Sequence, residues 1–300
     1  MKIDKRLSRT EFRKHFSCAD DCYRYLAEQK WGSGYRCRRC SGTRYCNGGQ
    51  PHGRRCTVCR YDESPTSGTM FHKLKFNIHT AFEMLYEIVT GRKGASSVWL
   101  AERFGLSQKT TWLFRAKVQL AMASSQHHPL DSEVHVDEFE MGTPKRDRQG
   151  RSGHPDKVKV VMAIENRDGK PGRGYAKVIA DYSSASLMPI FEQHIGTQAK
   201  VVTDGWKGYA PLRNGWPRLR QELSDQGRNF QMLHLQIRNL KNWLRGVHSF
   251  CAPEYVNRYL QEYFYRFNRR NGRANILQNI IERAVRMKPL TYTDIKLCAT

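Results

Sequence analysis

The sequence predicts a multidomain α+β chain, in which a small metal-stapled module and a helical region precede a mixed sheet with helices. Three observations carry this. Two C-x2-C pairs, Cys37 with Cys40 and Cys56 with Cys59, stand early in the chain. The apolar pattern keeps a helical period up to about residue 128 and a strand period beyond it. Two acids then lie on short apolar alternations, Asp137 inside Val134–Phe139 and Asp204 after Val201-Val202.

Three hundred residues fit about two domains and one sizeable core. With 39% hydrophobic residues, wholesale disorder is excluded. Lys and Arg outnumber Asp and Glu by 51 to 28, a formal +23. That excess points to a polyanion. Nucleic acid fits best, because a cationic surface gains by releasing the counterions condensed on phosphates. No basic amphipathic helix is long enough to argue for a membrane surface, and no apolar run approaches the ~18 residues of a span. The opening stretch MKIDKRLSRTEFRKHF carries charge with no apolar core behind it, unlike a signal peptide. Nine cysteines in that setting read as cytosolic thiols and metal ligands. A cytoplasmic location is expected.

Residues 1–30 carry a helical pattern through Phe12, Phe16, Cys22, Tyr23 and Leu26, with Cys18 and Cys22 read as packed side chains rather than ligands. Next comes C-x2-C-x15-C-x2-C, the spacing of a zinc ribbon. Each knuckle turns tightly enough to aim two thiolates at one tetrahedral ion, so Cys37, Cys40, Cys56 and Cys59 form the expected zinc set. Cys46 falls off the pattern. Arg38, Arg39, Arg54 and Arg55 crowd the knuckles and suggest a DNA-contacting rim. A helical pattern covers Lys73 to Gly91. From Ser96 to Trp112 the chain reads helix, Gly105 turn, then a second helix capped by Ser107. As a helix-turn-helix it would offer Gln108, Lys109, Thr111 and Arg115 to a DNA groove; the alternative is a plain helical hairpin.

Ser124–Pro129 marks a domain boundary. Beyond it are expected a strand over Val134–Met141, a cationic loop with Lys145, Arg146, Arg148 and Arg151, and a central strand over Lys157–Ile164. A hairpin turn at Asn166–Gly169 leads to a third strand, Gly174–Ile179. A helix over Ser184–Ile195 follows, with Pro189 near its first turn. A strand over Lys200–Asp204 comes next, and Asn229–Leu235 reads as a fifth. Two helices, about Arg238–Val247 and Pro253–Arg270, complete the order of an RNase-H-like sheet. The reading divides the chain into helix plus ribbon (1–72), helix-turn-helix region (73–128), catalytic domain (129–282) and an uninformative tail (283–300). If the sheet brings Asp137 and Asp204 together, the pair can hold Mg²⁺ and support two-metal phosphoryl transfer. His135 and His248 are read as packing or phosphate contacts.

With these residues in place, the chain resembles a DDE-superfamily transposase of a bacterial insertion sequence, of the zinc-ribbon-bearing, ISXO-like group. The four paired cysteines, VDE at Val136–Glu138, TDGWKGY at Thr203–Tyr209, NLKNWLRG at Asn239–Gly246 with His248, and YLQEYFYRFNRR at Tyr259–Arg270 carry the resemblance. It implies a retroviral-integrase-like domain in which Asp137, Asp204 and Asn239 hold two Mg²⁺ or Mn²⁺ ions, with one structural Zn²⁺ in the ribbon. Glu138 or Glu262 would add negative charge. Lys241 and Arg245 would either position a DNA end or form an exposed basic face. Arg266, Arg269, Arg270 and Arg273 would neutralise backbone phosphates. The implied partners are the terminal inverted repeats and target DNA, bound by a homodimer or higher assembly. The rival readings are a non-catalytic zinc-ribbon and helix-turn-helix DNA-binding regulator, a nuclease on the same scaffold, and a catalytically degenerate transposase.

Overall fold

The computed structural model describes residues 7–91, 93–142, 157–223, 225–248, 251–272 and 275–297. The expected cationic loop with Lys145, Arg146, Arg148 and Arg151 lies outside the described residues, as does Arg273. The chain forms two compact units. One runs to Met122 and resumes at Arg269; the other is Ala123–Asn268.

The first unit opens with helices α1 (Arg9–His15) and α2 (Ala19–Trp31). Ser8 and Glu11 cap α1 reciprocally, each side chain taking the other's backbone N–H. Between the helices Asp21 accepts from both the amide and the hydroxyl of Ser17, so the first pattern breaks in two. Three short antiparallel strands follow, β1 (Tyr45–Asn47), β2 (Arg54–Cys56) and β3 (Asp62–Glu63). Helices α3 (Ile78–Thr90), α4 (Ser97–Phe104) and α5 (Gln108–Ala121) complete this stretch. Phe16 and Phe82 meet edge to face at 5.0 Å, with Phe12, Tyr25 and Phe71 packed around them. Gly105 ends α4 at φ 63°, a left-handed conformation open to glycine at little cost, and Ser107 caps α5 through the Thr110 amide.

The second unit is a five-stranded mixed sheet between helices. Its strands are β4 (Glu133–Met141), β5 (Val158–Arg167), β6 (Lys170–Ile179), β7 (Lys200–Thr203) and β8 (Arg220–Gln221), in the order β6-β5-β4-β7-β8. The first three form an antiparallel meander; β7 is parallel to both β4 and β8. Asp168 (φ 52°) and Gly169 (φ 77°) make the two-residue hairpin between β5 and β6, matching the primed turns that suit sheet twist. Val134, Val136, Val161, Ala163 and Val201 pack on one face with α6 (Ser184–His194) and the 3-10 turn Lys207–Asn214. Phe139, Val160, Met162, Ile164 and Val202 pack on the other with α7 (Gln231–Val247) and α8 (Val256–Phe267).

Two expectations are corrected here. Asn229–Leu235 is not a strand: the fifth strand is β8, and α7 begins at Gln231. Leu233 belongs with Ile237, Leu240 and Leu244, a helical stripe buried against the sheet, and this spacing overrides the local alternation. Pro189 lies inside α6 rather than in its first turn.

After α8 the chain returns to the first unit. Helix α9 (Ile276–Arg286) buries Ile276, Leu277, Ile280, Ile281, Ala284 and Val285 against α2, α3 and α5. The Met70 amide donates to Ala284 O at 2.9 Å. This helix runs across position 283, where the sequence reading set the start of a tail. Helix α10 (Tyr292–Leu297) packs on α5, with the Trp112 and Tyr292 rings 5.9 Å apart.

Candidate functional site

The knuckle cysteines converge. Cys37 Sγ is 3.5 Å from Cys59 Sγ, and Cys40 Sγ is 3.6 Å from Cys56 Sγ. A tetrahedral ion with Zn–S bonds of ~2.3 Å requires S···S edges of ~3.8 Å, so the four thiolates fit one zinc. Among the described residues this is the one group in which three or more Cys, His, Asp or Glu ligand atoms lie within 4.8 Å of one another. Cys46 stays outside it. Cys22 is fully buried, and burial pushes its thiol well above the ordinary range, whereas Cys18 is exposed at the start of α2.

The expected DNA-facing residues divide. Arg54 is stacked among Trp31, Tyr35 and Tyr45, 4.1 Å from the Tyr45 ring, and Arg55 pairs with Asp62 at 2.8 Å. Both thus make contacts within the cysteine module, and Arg55 is also exposed. Arg39 is exposed, and Arg38 is half-exposed with Glu63 at 3.9 Å. On α5, Gln108 and Lys109 face solvent. Thr111 and Arg115 are buried, and the Thr111 hydroxyl donates to Ser97 O at 2.8 Å, tying α5 to α4. Arg266, Arg269 and Arg270 are half-buried.

In the second unit, β4 and β7 pair in parallel with Val134 opposite Val201 and Val136 opposite Thr203. Asp137 and Asp204 are the next residues on each chain, and neighbouring strands lie ~4.8 Å apart. Side chains alternate along a strand, so Asp137 shares the face of Phe139 and Asp204 that of Val202, both turned to the α7–α8 layer. Asp204 Oδ1 accepts from the Trp206 amide at 3.0 Å, which closes the turn after β7. The Trp206 indole donates to Tyr182 O at 2.8 Å. A Cβ on Gly208 would stand 2.5 Å from that same carbonyl, so this glycine is required; one on Gly205 would meet nothing.

Asp137 Oδ1 accepts from the Glu138 amide at 2.9 Å, and Oδ2 lies 3.1 Å from His234 Nε2. The hydrogen bond to Asp137 raises the His234 pKa above its ordinary value. Glu138 points to the opposite sheet face, where the buried Tyr209 hydroxyl donates to it. Burial, and then the Glu138 charge, push the Tyr209 phenol well up. Asn239 lies on α7 beside the buried Leu240, and its own side chain is exposed. Lys241 lies 5.1 Å from the Phe139 ring and is lowered by burial, while Arg245 is exposed. Glu262 is fully buried in α8, and His248 packs against Tyr259 and Trp243. His135 is tied to Glu133 at 3.2 Å, near the start of β4 where Lys200 and Asn166 also meet Glu133.

His234 escaped sequence reasoning because its segment reads as a strand. The signal that would have found it is the stripe Leu233, Ile237, Leu240, Leu244, which puts residue 234 at the sheet-side edge of a helix. Two carboxylates with an imidazole nearby suit a divalent ion that prefers oxygen donors and tolerates nitrogen.

Residues 129–268 match the model of a transposase domain. The match is to the ISXO2-like transposase domain, and over that stretch the chain is similar to DDE-superfamily insertion-sequence transposases. No curated protein matches the chain significantly. None of the described helices is long and apolar enough to cross a membrane.

Proposed function

We propose that the chain binds the inverted-repeat ends of an insertion sequence and catalyses metal-dependent DNA strand cleavage and strand transfer. The observation that supports this most is the β4–β7 register, which sets Asp137 and Asp204 side by side on one sheet face within an ISXO2-like domain. The order of the sheet, an antiparallel meander followed by parallel strands, supports an RNase-H-like reading of that domain.

Asp137 and Asp204 would hold the two divalent ions. When bound, Mg²⁺ or Mn²⁺ supplies charge to polarise a scissile phosphodiester and to activate water or a DNA 3′-hydroxyl. The chain's own task is placement. Asp204 is oriented by the Trp206 amide and Asp137 by the Glu138 amide, so both carboxylates are positioned before DNA arrives. Lys241 and Arg245, one turn apart on α7, are suited to a backbone phosphate. In the first unit, exposed Arg38, Arg39, Gln108 and Lys109 are suited to meet DNA through the ribbon and the α4–α5 pair. Pairing two DNA ends calls for a homodimer or larger assembly.

The test is incubation of the full chain with labelled duplexes carrying the element's ends and Mg²⁺ or Mn²⁺, scoring 3′-end cleavage and joined products. Asp137→Ala and Asp204→Ala should each lose at least ~100-fold in rate while still binding DNA. Cleavage that survives both substitutions, or proceeds in chelator, overturns the reading.

A further inference from the structure

We propose that α10, near the far end of the chain, forms one DNA-binding surface with α5, in which Lys109 and Lys296 take backbone phosphates of the same duplex around Tyr292. The inference rests on the reading of Lys109 as a DNA contact and adds a second element to it.

Helix α10 is docked on α5. Ile295 is fully buried, and the Tyr292 ring lies 5.9 Å from that of Trp112. Thr291 and Asp294 close the start of the helix reciprocally. The Asp294 carboxylate accepts from the Thr291 amide at 2.6 Å and from its hydroxyl at 2.7 Å, and the Asp294 amide donates back to that hydroxyl at 3.2 Å. A helix of six residues has little stability alone, so these contacts are what hold it.

Docking gathers two cations about one ring. Lys109 Nζ is 5.3 Å from the Tyr292 ring centroid and Lys296 Nζ 5.2 Å. Tyr292 and Lys296 stand four residues apart on one face of α10. The two ammonium groups therefore lie within ~11 Å of each other, while phosphates recur every ~3.4 Å along the axis of a DNA strand. Lys109, Tyr292 and Lys296 are all exposed. The surroundings carry the same sign: over residues 283–297 the exposed charged side chains are Arg286, Lys288 and Lys296, and the acid Asp294 is held in its cap, near Lys117. Like charges held this close on an open face are relieved by an anion. In a chain of net charge +23, the phosphate backbone of DNA is the anion that fits.

The experiment uses the zinc-loaded full chain, without added divalent ions, and a fluorescein-labelled duplex of ~30 bp and arbitrary sequence, with affinity read by anisotropy across a potassium chloride series. Each phosphate contact contributes ~0.9 to the slope of log affinity against log salt. Lys109→Ala and Lys296→Ala should each lower that slope by about 1 and weaken binding roughly 5- to 10-fold at ~0.1 M salt, and the double variant should lose about 2 in slope. Melting temperature and zinc content should not change. Lys170→Ala, at an exposed lysine of the β5–β6 hairpin, should keep the wild-type slope. A wild-type slope in Lys296→Ala, tighter binding in that variant (which would make α10 a shield over α5), or an equal fall in Lys170→Ala overturns the proposal. If Lys109→Ala alone lowers the slope, α10 is removed and the α5 contact stands. If wild type does not bind the duplex at all, the DNA reading itself is wrong, a different failure from that of α10.

Discussion

The ribbon cysteines and the sheet aspartates are two candidate metal sites built in opposite ways. Cys37 to Cys59 span one short segment, and two tight knuckles suffice to bring four sulfurs within 4.8 Å. Asp137 and Asp204 are 67 residues apart in sequence and are brought near by strand pairing, with β5, β6 and α6 between them. The first site is specified by spacing, the second by register. A spacing error in the ribbon would remove a ligand outright. A one-residue slip between β4 and β7 would turn one aspartate to the opposite face.

The contrast can be broken most forcefully at the ribbon. Cys56→Ser, or zinc removal by chelation, should abolish the β1–β3 structure, since structural zinc contributes on the order of 10–16 kcal/mol in ribbon-sized modules. Zinc content and circular dichroism melting of the full chain check this. Unchanged melting without zinc would show that the three strands stand on their own hydrogen bonds.

In the sheet unit the corresponding effects are smaller and spread over many contacts. Lys200, bonded to Glu133 at 2.6 Å, with Asn166 and His135, holds the Glu133 carboxyl down at about 2. A depressed folded-state pKa stabilises fully above the unfolded value near 4.5 and is lost as pH falls toward about 2. Glu133→Gln should therefore flatten the stability profile between those values, by no more than ~3 kcal/mol given its partial exposure. Chemical denaturation at a series of pH values measures it; a parallel profile in the variant removes the Lys200–Glu133 pair from the account.

Tyr209→Phe deletes the buried hydroxyl that donates to Glu138, and should cost ~1–3 kcal/mol in thermal unfolding. The expected fall in cleavage is small beside that of Asp204→Ala, because the Tyr209–Glu138 contact lies behind the sheet. A loss of rate equal to that of Asp204→Ala would give Glu138 a direct part in the chemistry. The smallest effect is expected at Gly205. Its added Cβ meets nothing, so Gly205→Ala should stay within ~0.5 kcal/mol of wild type, in contrast to the crowded Gly208. A large loss at Gly205 would point to a close approach by DNA.

Much of this was legible in the residues because the causes were local. The Asp168-Gly169 turn, the Gly105 stop and the Ser107 cap each depend on the dihedral or side-chain chemistry of one or two residues. The candidate site was half legible. Asp137 and Asp204 stand out as acids on apolar strands, yet their partner His234 did not, since Leu233 and Leu235 alternate as they would in a strand. Thr111 and Arg115 look groove-facing on a helical wheel and are turned inward by packing that no wheel contains.

By itself the sequence determined the four-cysteine cluster, the cationic character and the turn positions, because each follows from neighbours along the chain or from composition. The tertiary structure alone decided that Asp137 meets His234 while Glu138 is drawn to Tyr209 behind the sheet, and that α9 closes the core of the first unit. Those outcomes depend on which faces are buried against which, and burial is a property of the assembled layers rather than of any single segment.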